Sequence, residues 1–78
     1  MDYLKEIESI VTDLKVDNSD AAAELREIYD YSFSGTELLM KCVQFLLSIK
    51  EQVNPSIKLR ILELKIFCNS IGLFPSDD

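Results

Sequence analysis

The chain has 78 residues, 47% of them hydrophobic, and its 14 acidic and 8 basic side chains give a net charge of −6. That length allows one domain with a modest core, and the apolar content is too high for a disordered chain. The acidity opposes binding to nucleic acid or to anionic lipid, both of which need a basic patch.

The charge is uneven. Residues 1–37 hold ten acids and three bases, a balance of −7, whereas residues 38–78 hold four acids and five bases, a balance of +1. No basic start followed by an apolar run marks a signal peptide. The longest apolar stretch, 38–49, is broken by Lys41 and Gln44 and is too short to span a bilayer. The expected setting is the cytoplasm, with Cys42 and Cys68 reduced and serving as small buried hydrophobes.

The first predicted helix covers Asp2 to Lys15. Tyr3, Leu4, Ile7, Ile10, Val11 and Leu14 recur at intervals of three and four and make one apolar stripe. Asp17-Asn18-Ser19-Asp20 is a turn rich in N-cap residues. The second helix follows to Tyr31, with Ala21, Ala22, Leu25, Ile28 and Tyr29 facing inward. Its alanines allow a neighbouring helix to approach closely.

Ser34-Gly35-Thr36-Glu37 has the form of a capping box, and Phe33 with Leu38 that of a hydrophobic staple. The third helix runs from there to about Val53. Its apolar arc is wide enough to place it in the middle of a bundle. Asn54-Pro55 supplies a cap and a first-turn proline for the fourth helix, which extends to about Ile71. Gly72 is placed to end it in a Schellman motif, with Leu73 folding back. Short connections make sequential helices antiparallel. The predicted fold is all-α, a compact antiparallel bundle of about four helices in a single domain, residues 1–78.

The sequence holds no histidine, which removes the usual neutral-pH base and the His-dependent triads and zinc sites. Both glycines are accounted for by helix boundaries, so no phosphate-cradling loop remains. No acid falls within an apolar stripe, and Asp17–Asp20 lacks the rest of a calcium loop. The expectation is no enzyme, no cofactor and no metal.

Two surfaces stand out as binding candidates. Asp20, Glu24, Glu27 and Tyr31 recur at intervals of four, three and four and share one helix face, with Asp30 and Asp17 nearby. Acids around an aromatic anchor suit a basic partner protein; the competing reading is a solvated face. On the fourth helix, Ile57, Ile61, Leu64, Cys68 and Ile71 fall in one arc and Leu59, Leu62 and Ile66 in the opposite one. The Ile57 arc is expected to face the core. The other becomes a candidate homodimer or partner interface unless the first helix or Leu73-Phe74 covers it.

In being short, acidic and helical, the chain resembles the colicin immunity proteins in general description. Tyr29-Asp30-Tyr31 is a loose echo of their paired tyrosines, with the two rings pointing differently. The likeness is one of class, not of family. It implies an immunity or antitoxin-type inhibitor of a basic partner; the alternative is a homo-oligomeric adaptor built on the fourth helix.

Overall fold

Asn18 shows how tightly this chain turns. Its backbone N–H donates to the Leu14 carbonyl (2.7 Å) and closes one helix, while its side-chain oxygen accepts from the Ala21 N–H (3.2 Å) and opens the next. A computed structural model describes residues 1–32 and 35–76. In it the chain forms α1 (Tyr3–Asp17), α2 (Ser19–Tyr31), α3 (Gly35–Ser48), a 3₁₀ turn (Lys50–Gln52) and α4 (Pro55–Ser70). Among the described residues there is no strand, and no helix is long and apolar enough to cross a membrane.

The caps explain most boundaries. Asp2 accepts from the Lys5 N–H and starts α1. Asn54 accepts from the Ile57 N–H at 2.9 Å and Pro55 stands at the first helical position of α4. The far end of α4 is a Schellman motif: Gly72 has φ +86°, Leu73 N–H donates to the Cys68 carbonyl (2.8 Å), and Gly72 N–H donates to that of Asn69 (3.2 Å). The capping box and staple read on Phe33 and Ser34 lie outside the described residues; Glu37 pairs with Lys41 one turn on, at 2.8 Å.

Two expectations need correction. α3 stops at Ser48, not near Val53. Ser48 Oγ donates to the Phe45 carbonyl, and Ile49 and Gln52 N–H groups bond three residues back rather than four. The tighter winding still buries Ile49 and half-buries Val53, so the apolar period runs on past the α-helix. Ile71 does not complete the core stripe of α4. It is the C-cap, off the helical path, and 51% exposed.

Direction follows from contacts at opposite ends. Tyr29 near the end of α2 bonds Glu8 near the start of α1, while Asn18 joins their other ends, so α1 and α2 are antiparallel. The rings of Tyr3 and Phe67 lie 6.1 Å apart, while Asp17 bonds Asn54, so α1 and α4 are antiparallel too. α1 and α2 make the most extensive pairing, helped by the buried alanines Ala21 and Ala22. α3 touches the other three helices, as its wide apolar arc requires, and α2 and α4 lie across the bundle from one another.

Eighteen apolar residues form the core, with no buried polar or charged side chain among those described. Each fully buried Leu or Ile contributes about 1.5–3 kcal/mol by transfer from water, set against the conformational entropy of ordering the chain. The radius of gyration, 11.2 Å, is close to the roughly 11.5 Å expected for a packed domain of this length.

Candidate functional site

The first surface is built on α2. The Asn18 cap fixes where α2 begins, and burial of Ala21, Ala22 and Leu25 fixes its rotation. Asp20, Glu24, Glu27 and Tyr31 are thereby all turned outward. Glu24, Glu27 and Tyr31 line one shallow depression of about 340 Å³ with the half-buried Ile28. Tyr31 is 82% exposed. Asp20 is on the same face, one turn below, and does not line the depression.

Asp30 and Asp17 have other work. Asp30 accepts from Arg26 Nε at 3.3 Å, an i,i+4 pair that offsets its charge. Asp17 accepts from both the backbone N–H and the side-chain amide of Asn54 (3.1 and 3.2 Å), so it fastens the end of α1 to the cap of α4.

Ile28 belongs to this surface, although the spacing assigns it to the inner face. It sits at the edge between the two, and its position one residue after Glu27 and four after Glu24 is the signal that it borders the acids. The neighbouring Tyr29 is turned the other way. Its hydroxyl donates to Glu8 at 2.8 Å, and Arg26 stands 5.5 Å from its ring centre. The bond to Glu8, with burial, raises the Tyr29 pKa above its ordinary value. Tyr29 is therefore a clamp to α1, and Tyr31 is the ring left in solvent.

The second surface is on α4. Ile57, Ile61, Leu64 and Cys68 are buried, which sends the opposite arc outward. Leu59 and Ile66 are 61% and 67% exposed, and Leu62 between them is half-buried. Neither α1 nor Leu73-Phe74 covers Leu59 or Ile66, and Phe74 is itself 73% exposed.

The flanks of α4 are not free cations. Arg60 reaches α1, donating through Nε to Glu6 at 2.8 Å and through a terminal nitrogen to Asp13. Burial works against the Arg60 charge, but these two carboxylates hold it more firmly than usual. Lys58 pairs with Glu51 at 2.7 Å. Among the described residues, no three His, Cys, Asp or Glu side chains are grouped to hold a metal ion.

Compared with known proteins, the chain matches no protein-family model, no curated protein and no solved structure.

Proposed function

We propose that this chain is a small, acidic, non-catalytic protein-binding domain whose α2 face engages a basic partner protein, in the manner of an immunity or antitoxin-type inhibitor. One observation carries the reading: an almost fully exposed Tyr31 stands beside Glu24 and Glu27 at a depression bordered by Ile28. Tyrosine offers a large, stiff contact area with a polar tip, and such residues anchor interfaces when a partner desolvates them. Carboxylates around the anchor attract and orient a cationic surface, and their effect falls with salt. The acid balance of residues 1–37 extends that field beyond the depression itself.

The non-catalytic part rests on a sequence without histidine and on a core without a buried polar group among the described residues. The two sheltered thiols, Cys42 and Cys68, are pushed up by burial, Cys42 to about 11, so they stay protonated, the opposite of what an activated nucleophile requires.

The test uses a partner captured at low salt, identified, purified and assayed for its own activity. The chain should suppress that activity at one-to-one stoichiometry. Tyr31→Ala should weaken the complex by about 2 kcal/mol or more, some thirtyfold in Kd. Affinity should also fall steeply between low and physiological salt. An affinity indifferent to both Tyr31 and salt would contradict the reading.

A further inference from the structure

The exposed stripe of α4 has a spacing of its own. Leu59, Leu62 and Ile66 are three and four residues apart, which are the a, d and a positions of a heptad. A single exposed leucine needs no explanation, but three apolar side chains aligned on one helix face mark an interaction surface. In this register Lys58 and Lys65 fall at g positions on one flank, and Glu63 falls at e on the other. The core residues Ile57, Ile61, Leu64 and Cys68 occupy the remaining, opposite side.

We propose that this stripe seats a second copy of the chain, with the two α4 helices side by side and parallel. The charges choose both the occupant and its direction. In a parallel pair, a g residue faces the e residue five positions later on the other helix. Lys58 of one copy then faces Glu63 of the second, and two-fold symmetry makes this contact twice. Glu63 has no cation partner among the described residues of its own chain. In an antiparallel pair centred on the same stripe, Glu63 would face Glu63 of the second copy, so two carboxylates without a cation partner would meet in the seam.

The wider charge distribution allows the approach. The excess acidity lies in residues 1–37, whereas residues 38–78 are close to neutral, so α4 faces α4 without the repulsion that two α2 faces would suffer. Because α2 lies across the bundle from α4, pairing through α4 leaves the Tyr31 depression of both copies pointing away from the contact. The stripe covers only about two helical turns, roughly 10 Å of helix. That is short for a permanent interface, so the dimer is a weak one, with Kd on the order of tens of micromolar.

Sedimentation equilibrium on the full chain, from micromolar to millimolar concentration, tests this. The wild type should pass from monomer to dimer. Ile66→Glu and Leu59→Glu should be monomers throughout, with circular dichroism and thermal midpoint near those of the wild type. Glu63→Lys leaves the Lys58–Glu51 pair intact and should raise the dimer Kd about fivefold, as expected when two surface ion pairs become repulsions. Adding Lys58→Glu to it should restore the dimer. A wild type that stays monomeric at millimolar concentration overturns the proposal, as does a dimer that survives Ile66→Glu. A dimer that tightens with Lys58→Glu alone overturns the parallel arrangement, in which that change sets two carboxylates against each other. Glu24→Lys with Glu27→Lys should leave the mass unchanged, which separates this surface from the partner-binding one.

Discussion

α2 and α4 are held in the bundle in the same way and turn very different faces to water. Each buries one apolar arc, and each is tied to α1 by a polar clamp: Tyr29 to Glu8 for α2, and Arg60 to Glu6 and Asp13 for α4. Outside, α2 presents carboxylates around a tyrosine, whereas α4 presents Leu59 and Ile66. An amphipathic helix with a polar outer face is what a small bundle needs. α4 departs from that pattern by leaving Leu59 and Ile66 in water. The acidic face of α2 satisfies it, and only the solvent-facing aromatic sets it apart. Folding demands thus identify which residues are surplus to the fold, and the two surpluses differ in chemistry: charge-led on α2, apolar on α4.

The sharpest way to break the comparison is on α4 itself. Ile61→Ala, on the buried arc, should cost about 2–5 kcal/mol by urea unfolding, because it removes packed methylenes and leaves a void. Ile66→Ala, a helical turn away on the outer arc, should stay within about 0.5 kcal/mol. Equal losses at the two positions would mean that the outer stripe is covered after all.

The clamps come next. Arg60→Gln removes a charge shared by two carboxylates on α1 at a half-buried, partly screened position, and unfolding should become easier by about 1 kcal/mol. The corresponding change on α2, Tyr29→Phe, keeps the ring under Arg26 and removes one half-exposed hydrogen bond, so the loss should be under about 1 kcal/mol. It also carries a pH signature. The folded state raises the Tyr29 pKa above its ordinary value of 10.0, chiefly through the bond to Glu8. The protonated phenol is therefore the form that folding favours. Its contribution is present in full below pH 10 and is lost as the pH rises through the folded pKa. The stability gap between wild type and Tyr29→Phe should accordingly close in alkali, and the difference between their phenol titrations should centre above 10.

Most of the fold is legible in the sequence because its boundaries are written in short-range chemistry. Asn54-Pro55 and Gly72 form the cap and the turn that their positions suggest, and Asn18 is the one of several cap candidates in 17–20 that opens α2. The end of α3 is not legible, because apolar period records burial and not winding. Ile49 and Val53 are drawn inward by a 3₁₀ turn just as an α-helix would draw them. The same distinction separates the acids. Glu24, Glu27 and Tyr31 come together because one helix face carries them. Asp17 leaves that group for Asn54, 37 residues away, and nothing near Asp17 announces it. Asp30 leaves for Arg26 at i−4, a pairing that the helical spacing does contain. Arg60 looks like a surface cation until α1 is folded against it, since its partners lie 54 and 47 residues off.

The measurement that bears most directly on the central claim is the affinity of the purified partner for two variants compared side by side by calorimetry at fixed salt. Glu24→Lys with Glu27→Lys reverses the charge beside Tyr31, and Ile66→Glu alters only the apolar stripe across the bundle. The account predicts that the first variant loses binding while keeping its fold, and that the second binds with the affinity of the wild type per chain. If Ile66→Glu abolished binding and the double charge reversal left it intact, the partner would dock on α4, and the role assigned to the acidic face would be wrong.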